Sequence, residues 1–336
     1  METKWINSNE IEEGVRLLQA GEIIAMPTET VYGLAGDAMN DVAIRKIFEA
    51  KGRPSDNPLI VHIASIEQTS LFVDSIPPVA KRLMDAFWPG ALTIILPSNG
   101  RASSLVTAGL DSIGLRMPNH PAALELIRKS GLGLAAPSAN RSGRPSPTTA
   151  QHVADDLDGR IAGIVDGGPT GIGVESTVVD CTGDTVTILR PGGVTREEME
   201  AVIGPVALDA NLSNDEAAPR SPGMKYTHYA PTAPVFLVDG TREDLERVIE
   251  ERKQAGLRIG ALVFDENPTP AEVTHSLGTS MEVAAQRLYD ALRRFDETDV
   301  DEIYVNTIEP VGVALAVYNR LYKAAGGKIV HPTKDA

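Results

Sequence analysis

The stretch Ile23-Ile24-Ala25-Met26-Pro27-Thr28-Glu29-Thr30-Val31-Tyr32-Gly33-Leu34 decides the reading of the fold, because two kinds of structure meet in it. Residues 23–26 form a short uninterrupted apolar run, as a strand buried on both faces requires. Just before it, residues 9–20 carry Ile11, Val15 and Leu18 at helical spacing, and Gly21 stands where a helix C-cap is expected. Just after it the periodicity stops. Hydroxyls then crowd a loop at a strand end, where α/β proteins place ligand contacts. The Thr and Tyr hydroxyls suit the orientation of a small polar substrate; an ordinary strand-to-loop turn with local capping is the plainer reading.

The same alternation continues outward. Residues 41–50 offer Asp41 as an N-cap and Ile44, Ile47 and Phe48 as one apolar face, ending at Gly52. A strand at 59–61, a helix at 78–87 and a strand at 91–96 follow. A helix over 120–130 has Pro121 in its first turn and Gly131 after its last. Strand-like runs come at 132–136, 161–165, 176–180 and 185–190, which predicts an α/β domain over 1–205 with a mixed, largely buried sheet. Residues 206–233 are rich in Ala, Asn, Pro and Ser without a period and read as a linker. Strands at 235–238, 258–264 and 303–305 alternate with helices at 241–255, 280–296 and 312–325, a smaller Rossmann-like α/β unit over 234–336.

Composition sets outer limits. The chain has 336 residues, 42% hydrophobic and 23% charged, which suits a globular protein of two domains. No run nears the roughly 18 apolar residues of a spanning helix, so no membrane role is expected. The start, METKWINSNEIEEG, shows no basic and apolar leader pattern, and a cytoplasmic location is expected. One cysteine, Cys181, allows no internal disulfide and reads as a small mid-strand core residue. The six His show no ligand spacing, so no dedicated metal centre is expected. With a net charge of −15, the chain does not have the surface of a protein that coats nucleic acid.

Several irregular stretches carry chemistry. Lys51-Gly52-Arg53-Pro54-Ser55-Asp56-Asn57-Pro58 sets two cations two residues apart at a helix end. They either complement the helix dipole or project together toward a polyphosphate. It is no Walker loop, since G-x-x-x-x-G-K-[ST] occurs nowhere in the chain. Ala136-Pro137-Ser138-Ala139-Asn140-Arg141-Ser142-Gly143-Arg144-Pro145-Ser146-Pro147 alternates hydroxyl, amide and guanidinium groups in a stiff loop, a source of donors for phosphate or ribose oxygens. Arg116 in Gly114-Leu115-Arg116-Met117-Pro118 sits in an apolar stretch and demands an anionic partner, either a ligand or an internal carboxylate. Val174-Glu175-Ser176-Thr177-Val178 follows a Gly-rich turn, and Leu189-Arg190-Pro191-Gly192 ends a strand on a cation. Residues 221–231, SPGMKYTHYAP, hold two tyrosines, a lysine and His228, odd for a linker unless it docks as a lid. Neither His228 nor His62 has the partners of a nucleophilic triad.

Taken together, PTETVYGL, KGRPSDNPLIVH, WPGALTIIL, GLRMP, APSANRSGRPSPT, GVESTVVD, LRPG and SPGMKYTHYAP resemble, in this order, the Sua5/YrdC/YwlC family in its full-length, two-domain form. The family's K-x-R…S-x-N signature stands here as Lys51, Arg53, Ser138 and Asn140. The resemblance implies a YrdC-like twisted mixed sheet with flanking helices, and a reaction that joins L-threonine, bicarbonate or CO2 and ATP into L-threonylcarbamoyl-adenylate and pyrophosphate. It implies that the product passes to a separate complex that completes the t6A modification of tRNA. By the same resemblance Lys51, Arg53, Ser55, Ser138, Asn140, Ser146, Arg190 and His228 surround ATP, while Thr28, Tyr32, His62, Thr107, Arg116 and Ser176 surround threonine. Mg2+ is expected to arrive with ATP, held by phosphate and water. Two other classes compete: an RNA-binding module that uses a basic concavity, with tRNA as its partner, and a nucleotide sensor without turnover. Residues 1–205 carry 17 basic and 25 acidic side chains, which favours the enzyme because so few cations must be gathered locally.

Overall fold

The computed structural model describes residues 2–210, 212 and 228–332. The chain divides into two compact units, Met1–Ser142 with Ser146–Lys225, and Gly143–Pro145 with Tyr226–Ala336. Most of the expected linker, and all of residues 221–227, lies outside the described residues.

Among the described residues of the first unit, eleven strands form one sheet. Its spatial order is Lys4–Asn7, Gly163–Asp166, Ile24–Met26, Gly33–Asp37, Leu134–Ala135, Ile60–His62, Ser112–Arg116, Leu92–Pro97, Thr177–Asp180, Thr187–Arg190 and Ala207–Leu208. Parallel and antiparallel pairs mix along it. The last strand continues the sheet to Leu208, inside the stretch read as linker.

The apolar run after Gly21 is buried on both faces. Ile24 and Met26 pack in one cluster with Ile11, Leu18, Leu126 and Ile127. Ile23 and Ala25 enter another with Ile44, Ile47 and Leu83. The flanking helices therefore clamp the sheet from opposite sides, each buried side chain being worth roughly 1.5–3 kcal/mol against exposure. The helix Asp41–Lys51 is capped by Asn40, one residue earlier than expected, whose side chain accepts from the amides of Val42 and Ala43. Gly52 ends it at φ 60°, a left-handed turn that any Cβ would strain.

Two strands next to the site escaped the sequence reading because their residues show no pattern of their own. Gly33–Asp37, read as loop, is a central strand held between Ile24–Met26 and Leu134–Ala135. Ser112–Arg116 pairs with Ile60–His62 and Leu92–Pro97. Cys181 lies one residue beyond the strand Thr177–Asp180, not within it. It is buried all the same, and burial pushes its thiol up to about 12, as an inert core residue requires.

In the second unit five parallel strands follow the order Val273–Ser276, Ile259–Val263, Glu302–Asn306, Val235–Val238 and Ile329–Val330. The helices Arg242–Gln254, Met281–Phe295 and Val313–Ala324 complete the layered arrangement. Among the described residues no helix is long and apolar enough to cross a membrane.

Candidate active site

The loop Pro27–Tyr32 is shaped by its own hydroxyls. Thr28 Oγ1 donates to the carbonyl of Val31 at 2.6 Å and accepts from the amides of Thr30 and Val31. Its single proton is thus committed, so in the 2.9 Å contact between the two threonine hydroxyls Thr30 is the donor. Thr30 in turn accepts from Arg116 Nη1 at 2.9 Å. Tyr32 points elsewhere: its hydroxyl donates to Gly168 O at 2.7 Å and accepts from Gly167 N at 3.1 Å. Burial pushes that phenol up to about 12, so it stays protonated and acts there as a tie between loops.

Arg116 is the centre of this group. It is 4% exposed, and its Nε donates to Gly90 O at 3.1 Å. Its Nη2 stands 2.7 Å from Glu29 Oε1, an ion pair whose side chains are 5% and 13% exposed. The apolar stretch around Arg116 thus finds an internal carboxylate. His62 is the strand neighbour of Arg116, and the two Cα positions are paired in register. Burial first, and the Arg116 charge second, push the His62 ring down to about 3.

That shift has a sign worth testing. The unfolded chain binds a proton at His62 near pH 6.5 and the folded chain does not, so this group favours folding above pH 6.5. Its contribution falls by roughly 1.4 kcal/mol per pH unit from about 6.5 toward 3. Unfolding midpoints followed from pH 7 to pH 5 are expected to drop more steeply in the wild type than in His62→Gln. Equal slopes refute the assignment.

The 138–140 loop is held by Lys51. The Lys51 ammonium, 3% exposed, donates to the carbonyls of Ser138 and Asn140, the latter at 2.7 Å, and reaches Asn140 Oδ1 at 3.5 Å. Ser138 also bridges to Gly33, while the amide of Ala139 donates to Tyr32 O. The K-x-R and S-x-N halves of the signature are therefore brought together, although Ser138 lies 87 positions after Lys51. Arg53 donates to Asn57 O at 3.2 Å, and Arg53 and Ser55 line an open cavity of about 650 Å³ with Phe48, Gly52, Pro54 and Leu105.

A third group forms around Ser176, which is fully buried. Arg190 Nε and Nη2 converge on Ser176 O at 3.1 and 2.9 Å, and Nη2 also reaches its hydroxyl at 3.1 Å. That hydroxyl contacts Thr93 Oγ1 at 2.8 Å. Ser146, fully buried, donates to Glu175 Oε1 at 2.5 Å. Gly192 explains the LRPG motif: a Cβ there would stand 2.3 Å from Glu175 O and 2.4 Å from Ser176 C, so only glycine lets the two backbones touch.

Two further predicted residues, Thr107 and His228, have surroundings of their own. Thr107 closes the short helix Ser104–Thr107, its hydroxyl returning to Ser104 O at 3.3 Å. His228 belongs to the second unit, next to Tyr229, whose ring packs on Tyr289 at 5.2 Å under the guanidinium of Arg320. The sequence reading assigned no role to Glu29, Thr93 and Glu175. A signal for Glu29 existed, since a guanidinium in an apolar strand calls for a carboxylate. For the others none did.

Residues 16–192 match the Sua5/YciO/YrdC family model, described as telomere recombination, and residues 194–326 match the threonylcarbamoyl-AMP synthase C-terminal domain. The chain belongs to the Sua5/YciO/YrdC family. Among its relatives, the threonylcarbamoyl-AMP synthase of Bacillus subtilis is 56% identical over 329 residues, 96% of this chain and 95% of the relative. The synthase of Pyrococcus abyssi is 47% identical over 318 residues, 93% of each chain. The crystal structure of P. abyssi Sua5 complexed with L-threonine superposes with a TM-score of 0.94 at 43% identity, over 98% of this chain and 99% of the relative. Escherichia coli YciO, at 24% identity and a TM-score of 0.52, shares the fold over 57% of this chain. The α/β expectation for the family thus holds.

Proposed function

We propose that this family member joins L-threonine, CO2 or bicarbonate, and MgATP into L-threonylcarbamoyl-adenylate with release of pyrophosphate. The observation that carries the reading is the superposition of 98% of the chain on a threonine-bound relative. In this reading the threonine ammonium gives up one proton to solvent, and the neutral amine attacks CO2; as the C–N bond forms a second proton leaves to solvent, and the carbamate nitrogen keeps one. One oxygen of the resulting carbamate then attacks the α-phosphorus of ATP, and the bond to pyrophosphate breaks.

Two anions have to meet in the second step, so the chain's contribution is positioned positive charge. Arg116 supplies that charge on the threonine side, with the neutral His62 beside it, and Lys51 and Arg190 supply it on the nucleotide side with Ser138, Asn140 and Ser146. No covalent nucleophile is required. Mg2+ would enter with ATP, held by its phosphates and by water. The adenylate would then pass, in the cytoplasm, to a separate tRNA-modifying complex.

An RNA-binding module is not favoured. Lys51, Arg116 and Arg190 are 3%, 4% and 7% exposed, and cations that deep cannot track a phosphate backbone. Incubation with MgATP, bicarbonate and threonine should yield pyrophosphate and threonylcarbamoyl-adenylate in equal amounts. Pyrophosphate release that does not depend on threonine refutes the proposal.

A further inference from the structure

Glu29 is the only charged residue of the PTETVYGL motif, and the proposed reaction leaves it without a task. Its carboxylate is nearly enclosed, with Oε1 2.7 Å from Arg116 Nη2. Yet neither Glu29 oxygen, nor Arg116 Nη2, is in hydrogen-bonding geometry with a described group. Arg116 commits Nε to Gly90 O and Nη1 to Thr30 Oγ1. What remains side by side is two buried acceptors and one buried donor. Buried polar atoms left this way destabilise the fold, more so when charged.

A carboxylate that served only to hold Arg116 would be expected to meet the guanidinium squarely, in the two-pronged geometry that such pairs favour. The offset arrangement leaves both Glu29 oxygens and Arg116 Nη2 with hydrogen-bonding capacity for a third party. Charge narrows what that party is. The pair is nearly neutral, so an anion alone would leave Glu29 facing a second carboxylate, and a cation alone would face Arg116. A zwitterion brings both signs and unbalances neither.

We propose that Glu29 binds the α-ammonium of the substrate while Arg116 Nη2 takes its α-carboxylate, so that the pair recognises a free α-amino acid as a zwitterion. The inference rests on the threonine reading above and adds a specificity residue to it. Glu29 is thereby a substrate-binding group. The ammonium supplies the donors that its two oxygens lack, and the substrate carboxylate supplies the acceptor for Arg116.

The test compares L-threonine with 2,3-dihydroxybutanoate of matching configuration, in which a hydroxyl replaces the ammonium. Binding to the full-length protein is measured by calorimetry. The wild type is expected to prefer threonine by roughly 10- to 100-fold, the range of one charge-assisted hydrogen bond. In Glu29→Gln the preference should collapse to within about threefold, with the KM for threonine raised and that for ATP unchanged. An equal loss for both ligands in Glu29→Gln would mean that Glu29 only positions Arg116, and overturns the proposal. So does a wild type that binds both ligands equally well. If the Gln variant does not fold, Glu29→Asp and the wild type decide, since both must keep at least about a tenfold preference. A wild type that ignores threonine altogether overturns the functional reading too. One that turns threonine over without preferring the ammonium overturns this inference alone.

Discussion

Lys51→Ala is expected to lower threonine-dependent pyrophosphate release by roughly 10²–10³-fold, the range found when one preorganised donor to a developing charge is lost. The structure adds a second cause. The Lys51 ammonium holds the carbonyls of Ser138 and Asn140 from deep burial, so its removal frees the loop that carries both side chains. A misplacement of about 1 Å at a reacting group costs on the order of 10² in rate by itself. The fold should survive with a loss of roughly 1.5–3 kcal/mol, the worth of hydrogen bonds to a buried charge. Rate, KM for ATP and thermal midpoint together check it. Normal turnover in the folded variant would remove Lys51 from the chemistry.

Arg116→Ala should produce the largest loss of stability at the site, about 3–5 kcal/mol, because Glu29 would remain as an uncompensated buried carboxylate. The double variant Glu29→Ala/Arg116→Ala removes both charges and is expected to recover more than half of that loss. Activity should not follow. Both variants are expected to lose roughly 10²-fold or more in kcat/KM for threonine, since a buried, hydrogen-bonded charge pair with the ligand is worth about 2–5 kcal/mol. Denaturant unfolding and threonine titrations of the four proteins in the cycle check this. A double variant as unstable as Arg116→Ala would show that the two charges are not energetically coupled.

These two cases show how differently the site's parts were legible. Lys51, Arg53, Ser138 and Asn140 stood out because Gly and Pro punctuate their loops, and punctuation is local. The partners of Lys51 did not, since they are backbone carbonyls 87 and 89 residues away, which no side-chain pattern marks. Tyr32 looked like a substrate contact because its motif is rich in hydroxyls. The fold also gives its hydroxyl two partners, Gly167 and Gly168, beyond the reach of local pattern.

The sequence by itself determined the elements that carry their own instructions. Pro121 and Gly131 bracket one helix, Gly52 stops another in a left-handed turn, and residues 23–26 declare burial on both faces. Each follows from steric limits or from transfer of apolar surface, which depend on a few neighbouring residues. Only the tertiary structure decided the strand at Gly33–Asp37, the seat of Arg116 beside Glu29, and the backbone approach at Gly192. Those depend on sheet register, which brings His62 level with Arg116 and sets every contact across the site. The net charge of −15 gave no hint of that pairing, because charge counts sum over the surface whereas the site is built from the few ions the sheet encloses.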